Sequence, residues 1–283
     1  MERENNMDEK IFLEKYDDRK YDKPSVTADI NIFSVFDEET DNYRKLSSKK
    51  LKILLIKRGQ YPFKDMYALP GGFVKRKETI DQAAFRELKE ETNIECDFLQ
   101  QLRTFSEPDR DPRRWVITCA YMALIDGKKY SVMGGDDAKE ALWFEVSLNM
   151  QGEDWKLELW HDEKKAEAVL KCDMKSSVSE FSNWRLVSSS NIAFDHALII
   201  TTAIIKLRKL VENGNTDIVF KLLPDYFTLT EAQQVYEVIL GKKIYSQVFR
   251  RQIKDYVEET QQYAQSAGHR PSKLYRFKQG EHE

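Results

Sequence analysis

Residues 72–94 read GFVKRKETIDQAAFRELKEETNI, and this stretch decides how the chain is read. From Thr79 the pattern is helical. Thr79 and Gln82 fit a capping box, Ile80, Ala84, Phe85 and Leu88 share one side, and Asn93 ends the helix. At about 100° per residue, Glu87, Glu90 and Glu91 fall within roughly a third of the helix circumference. Like charges three and four residues apart destabilise a bare helix. A divalent cation removes that cost, and carboxylate oxygens suit Mg²⁺ or Mn²⁺. Gly71 and Gly72 let the backbone come close to the same ion, because no Cβ blocks the approach. Arg86 stands beside the acidic band and can hold one carboxylate in a fixed rotamer by bidentate pairing.

A solvated helix rich in Glu and Lys is the plain alternative in so charged a chain. Six fixed identities at set offsets argue against it, since a chance match anywhere in the chain is on the order of one in 10⁵. The segment resembles the Nudix box, the loop–helix–loop of a family that hydrolyses nucleoside diphosphates linked to another moiety with a divalent metal. The resemblance implies that Glu87, Glu90 and Glu91 bind the metal, that Arg86 orients them and that Glu78 is a supporting acid. Asn93 stands where the family usually has Gly. That position needs a left-handed backbone, for which Asn is the next-best residue.

Working outward, residues 26–36 alternate as a strand and residues 51–57 (LKILLIK) read as a buried one, joined by a polar connection. Residues 60–67 read as a loop and Pro70-Gly71-Gly72 as a turn. Residues 116–124 and 141–146 are further strands, and 192–211 is a long amphipathic helix. Strands mixed with two helices predict an α/β (α+β) layered domain, a mixed sheet between helices, over about 25–212. Residues 1–24 are expected to be a partly ordered leader. Residues 151–190 read as an insertion interrupting the domain, a hairpin around His161-Asp162-Glu163-Lys164 that serves as a lid or as an interface arm. Hydrolysis also needs a general base. Glu90 and Glu91 are candidates within the box, and Asp136, Asp137 and Glu140 outside it. A charged turn before a strand is the more ordinary reading of those last three, as a surface strand-end arginine is an equal one for Arg58. Arg58, at the end of a strand, is a candidate for a substrate phosphate, with Gly71, Asp136 and Glu140 as further substrate-side residues.

After Asn213-Gly214-Asn215 the character changes. Thr228 and Glu231 open a helix that Gly241 stops, Ser246 caps a second running to about Tyr256, and residues 272–278 form a short strand after the turn Gly268-His269-Arg270-Pro271. Two closely spaced helices followed by a hairpin outline a winged helix-turn-helix over 213–283. Residues 242–278 hold nine basic and three acidic side chains, a local net charge of +6 in a chain of net −3. That asymmetry suits phosphate-backbone contact. Arg250, Arg251 and Lys254 lie opposite Phe249 and Ile253, and Arg270 and Lys273 sit in the wing.

Charged residues make up 33% and the AVILMFWYC set 41% of the 283 residues, which suits two folded domains and excludes a uniformly basic nucleic-acid coat. The apolar run 197–205 is far short of the roughly 20 residues that span a bilayer, so no membrane partner is expected. Residues 1–10 are polar, so no secretion signal is expected. Cys96, Cys119 and Cys172 lack metal-ligand spacing and are expected to be free buried thiols in a cytoplasmic protein. Arg58-Gly59, Ala68 to Val74, Asp109-Arg110-Asp111-Pro112-Arg113, Ala193-Phe194-Asp195-His196, Phe227-Thr228-Leu229-Thr230 and Leu274-Tyr275-Arg276-Phe277 extend the resemblance to the Nudix-related transcriptional regulators of NAD metabolism and their ADP-ribose pyrophosphatase relatives. It covers about 25–150 and 190–278. It implies ADP-ribose as ligand, duplex DNA as partner of the winged helix, and a homodimer. Members with a degraded acidic box act as sensors without catalysis. All three glutamates are present here, so the resemblance implies hydrolysis, with regulation as the alternative role.

Overall fold

A computed structural model describes residues 2–38, 47–96, 98–130, 138–172, 184–264 and 271–278, with backbone only at 2–7, 138 and 139. The chain opens with α1 (Glu2–Lys15), then β1 (Ser25–Asp37), β2 (Lys49–Arg58), β3 (Tyr67–Ala68), β4 (Gly71–Phe73) and α2 (Ile80–Thr92). There follow β5 (Leu99–Phe105), β6 (Val116–Leu124), β7 (Ala138–Gln151), β8 (Asp154–His161), β9 (Lys164–Cys172) and β10 (Trp184–Ser190). The C-terminal part holds α3 (His196–Glu212), α4 (Asp217–Phe220), α5 (Leu229–Leu240), α6 (Ser246–Ile253), β11 (Val257–Ala264) and β12 (Ser272–Phe277).

Strand β1 is the spine of a mixed sheet of order β10-β9-β8-β7-β2-β1-β6-β5. It pairs parallel with β6 and antiparallel with β2 and β4. Side chains alternate across a strand, and here both faces are covered. Ala28, Ile30 and Ile32 of β1 meet Ala84 and Leu88 of α2 on one face. Phe33 and Val35 join Ile199, Ala203 and Leu207 of α3 in the core of the other. The helices therefore flank the sheet as the sequence implies.

Four boundaries differ from the sequence reading. The leader contains α1, whose Phe12 and Leu13 are exposed. Strands β8 to β10 do not interrupt the domain as an arm; they extend the sheet beyond β7, and Leu157, Leu159, Ala168 and Leu170 belong to its core. Helix α3 begins at His196 rather than at 192, because residues 191–193 pair with β3 through Tyr67. Helix α6 starts after Tyr245, with Ser246 its first residue and no side-chain cap, and ends at Ile253, since β11 begins at Val257. In α2 the capping box and the left-handed Asn93 (φ 57°) are as expected, but Phe85 points outward. The cysteines are free and half-buried rather than buried.

One core runs on from the sheet through α3 into α5 and α6, so α3 is shared between the two halves. Phe249 and Ile253 are fully enclosed, and β11 and β12 form the wing hairpin, with Phe227 bridging to Tyr275. Among the described residues, no helix is long and apolar enough to cross a membrane.

Candidate functional site

The acidic helix and the glycine turn face each other. The Gly71 N–H donates to Glu91 Oε2 at 2.7 Å. Gly71 has φ 154°, and a Cβ there would run into the Ala28 carbonyl; a Cβ on Gly72 would run into the Glu87 carboxylate. Only glycine therefore allows the turn at 71 to sit this close to β1, and at 72 a side chain would have to displace the Glu87 carboxylate. Arg86 ties the carboxylates together. It donates from Nε and Nη2 to Glu78 at 3.0 and 2.7 Å, from Nη1 to Glu87 at 2.5 Å and Glu90 at 2.9 Å, and from Nη2 to the Phe73 carbonyl at 3.1 Å. Its guanidinium holds Glu78 down to a pKa of about 2, with help from the Lys75 N–H. Burial pushes the Glu87 carboxyl up, against the pull of Arg86.

Glu87 and Glu91, four residues apart, line a cleft of 320 Å³ together with Gly71 and Gly72. Glu90 lies outside that lining, on the rim, with its side chain 52% exposed against 11% for Glu87. No three Asp, Glu, His or Cys side chains among the described residues form a ready metal cage. Two cleft carboxylates suit Mg²⁺ or Mn²⁺ all the same, because Mg²⁺ is held by one or two carboxylates, with waters and substrate phosphates completing its shell. Glu87 in particular is a buried acid whose charge a cation would compensate.

Arg58 lines the cleft; its Nε donates to the Pro62 carbonyl at 2.9 Å and its guanidinium lies 4.8 Å from the centre of the Phe194 ring. Glu140 is not in the cleft. It is paired with Lys164 at 3.1 Å and Lys57 at 3.6 Å near the start of β7, so its candidacy as base or substrate ligand finds no geometric support. Asp136 and Asp137 lie outside the described residues, as does Arg270.

The sequence reading missed the cleft's inner wall. Arg110, 4% exposed at its side chain, donates to Asp195 at 2.8 and 3.0 Å and to Asp29 at 3.3 Å. Burial works against its charge, but the two aspartates more than offset it and raise its pKa. Burial raises Asp29 in turn. Arg113 pairs with Asp111 and lies over both Phe73 and Phe194, at 5.8 and 5.6 Å from the ring centres. His196 accepts the Leu69 N–H on Nδ1 at 2.9 Å, and burial takes its pKa down to about 3. The strings at 109–113 and 193–196 carry this wall, but nothing in a single sequence says that an arginine at 110 meets an aspartate at 195.

At the other end, Arg250 and Arg251 are exposed on α6 and Lys254 just past its end, with no ion pair among the described residues, opposite buried Phe249 and Ile253. The wing is different. Lys273 is paired with Glu259, and Arg276 with Glu258. A larger cleft of 630 Å³ lies between the halves, around Phe98, Tyr130, Phe220 and Tyr226, but no catalytic set converges on it.

Fold and site together define a Nudix-type domain joined to a winged helix-turn-helix. The NUDIX domain model matches residues 32–167, and the NrtR DNA-binding winged helix domain model matches residues 219–277. The ADPR responsive transcriptional repressor NtrR of Acinetobacter baylyi is 32% identical over 282 residues, 97% of this chain and 90% of that protein. The ADP-ribose pyrophosphatase of Methanocaldococcus jannaschii is 42% identical over 135 residues, 48% of this chain and 69% of the relative. A crystal structure of a MutT/nudix family protein from Enterococcus faecalis has a TM-score of 0.70 at 31% identity, covering 96% of this chain and 93% of that one. The chain belongs to the NrtR family of two-domain Nudix proteins.

Proposed function

We propose that the protein is a Mg²⁺- or Mn²⁺-dependent Nudix pyrophosphohydrolase that cleaves ADP-ribose or a similar nucleoside diphosphate linked to another moiety. The observation that carries this reading is the juxtaposition of Glu87 and Glu91 with Gly71-Gly72 in one cleft. Glu87, Glu91 and the turn's backbone would hold the cation, with Glu90 joining from the rim. The chemistry a divalent cation supplies there is acidification of a water and neutralisation of diphosphate oxygens. Arg86 fixes the carboxylate rotamers, and Arg58 and Arg113 place positive charge beside the diphosphate. Phe73 and Phe194 offer ring faces to a base or sugar. Of the two candidate bases in the box, Glu91 is the better placed, since Glu90 is held outward by Arg86. The test is a screen over nucleotide sugars and dinucleotides with Mg²⁺ and Mn²⁺, in which an added phosphatase frees inorganic phosphate from the monoester products of diphosphate cleavage. Turnover of ADP-ribose supports the reading; no turnover of any diphosphate with either metal overturns it.

A second reading is supported by the winged helix. The exposed cations of α6, the matching DNA-binding domain family and the full-length relationship to an ADPR responsive repressor support an ADP-ribose-responsive DNA-binding regulator. Arg250, Arg251 and Lys254 would contact the duplex, with Lys273 at the wing. A homodimer would present two such helices to two half-sites, and light scattering of the full chain checks that assembly. The two roles are compatible in one molecule.

A further inference from the structure

His196 takes no part in the acidic box, yet it sits against the turn that the box requires. The turn of residues 69–72 is pinned from three sides. The Ile30 N–H of β1 donates to the Pro70 carbonyl at 2.8 Å. Glu91 of α2 accepts the Gly71 N–H at 2.7 Å. His196, the first residue of α3, accepts the Leu69 N–H at 2.9 Å. A backbone N–H can only donate, so Nδ1 must be an unprotonated acceptor and the ring proton sits on Nε2. The imidazole is 5% exposed and Leu69 is 2% exposed, so no solvent competes for that N–H.

We propose that His196 is a positioning residue for the active-site turn: a neutral acceptor whose hydrogen bond to Leu69 sets the turn so that Gly71 meets Glu91 and Gly72 meets Glu87. The role rests on the hydrolase reading for its consequence but not for its geometry. The ring's surroundings fix its placement. Phe194, held at φ 53°, packs on it with ring centres 5.3 Å apart, and Asp195 beside it is locked to β1 through Arg110 and Asp29. Asp195 consequently makes no side-chain cap to α3, although it occupies the N-cap position. The helix start is thus organised around the turn rather than around its own capping. Without the acceptor, the Leu69 amide would be buried and unpaired, an unfavourable state for a backbone donor. The turn would be free to relieve that cost by moving away from α2.

Two substitutions separate positioning from packing. His196→Leu keeps much of the volume and removes the acceptor. His196→Asn places an amide oxygen close to where Nδ1 lies. In the full-length protein, hydrogen exchange read at the Leu69 amide should speed up by roughly tenfold or more in His196→Leu and return toward the wild-type rate in His196→Asn. Hydrolysis of ADP-ribose with Mg²⁺ should follow the same order. We expect kcat to fall by about 10–100-fold in His196→Leu, the range of outer-shell partners, with KM changed far less and with recovery in His196→Asn. Equal exchange and equal kcat in Leu and Asn variants that both remain folded would reduce His196 to a packing residue and overturn the proposal. If the wild-type protein turns over no diphosphate, the hydrolase reading fails, while the exchange comparison still decides whether His196 sets the turn.

Discussion

The nucleotide cleft and the recognition helix α6 both concentrate charge, and they treat it in opposite ways. In the cleft nearly every charge is already engaged. Arg86 holds three glutamates and Arg110 holds two aspartates, both arginines largely out of solvent. On α6 and just past its end, Arg250, Arg251 and Lys254 stand in water with no ion pair among the described residues. A small ligand with a defined bond to cleave needs side chains fixed before it arrives, and prearranged partners supply that. A duplex backbone gains its affinity by releasing counterions, which asks only for accessible cations. The wing falls between the two, since Lys273 and Arg276 are each tied to a glutamate of β11.

The comparison breaks most sharply at the box. Glu91→Gln should lower hydrolysis by at least about 10²-fold, more than is usual for an outer-shell change. Glu90→Gln should cost less, because Glu90 stands on the rim. Rates of product release with Mg²⁺ measure both. Equal losses would place Glu90 in the working site and sink the distinction between rim and cleft. At the other end, Arg250→Ala or Arg251→Ala should weaken duplex binding by about tenfold and lower the salt slope by about one. Lys273→Ala should do less, since Glu259 already neutralises that ammonium. Titrations at several salt concentrations resolve the order, and a wing effect larger than the helix effect would reverse it.

How far the sequence could be read follows the same division. Both capping boxes and the left-handed Asn93 are local signals, and the structure shows them as read; the apolar side of α2 is narrower, since Phe85 points outward. The resemblance implies Glu78 only as a supporting acid; the structure pairs it with Arg86, eight residues on. The inner wall was not legible. Arg110 meets Asp195 across 85 positions and Asp29 across 81, and such pairings depend on how β1 and α3 come together. The same limit hid the role of 151–190. Its alternation marked a hairpin, but only the ladder to β7 shows that it continues the sheet. Residues 192–194 share the apolar composition of α3, but 191–193 are committed to β3, so the helix begins only at His196.

The smallest expected effect concerns acid stability. The Arg86 pair lowers Glu78 from an ordinary 4.5 to about 2, so its contribution to stability is fully present above about pH 4.5. That contribution fades as pH falls from there through about 2, where the carboxylate is protonated even when folded. Glu78→Gln should therefore lower the melting temperature at pH 7, with a gap from wild type that closes toward pH 2. A gap that persists unchanged at pH 2 would trace the effect to packing.

Both regions matter to one question, whether a ligand in the cleft is felt at α6. Helix α3 opens beside the cleft at His196 and packs on α5, which in turn packs on α6. A ligand can shift DNA binding only through different affinities for two arrangements, and DNA must then weaken ligand binding by the same factor. The most direct measurement is a titration of labelled duplex from the protein's own upstream region with the Glu91→Gln variant, with and without saturating ADP-ribose. The account predicts DNA affinity weakened by about 5–150-fold, the usual range of such couplings. Identical dissociation constants, with ADP-ribose binding confirmed on the same sample, would contradict it.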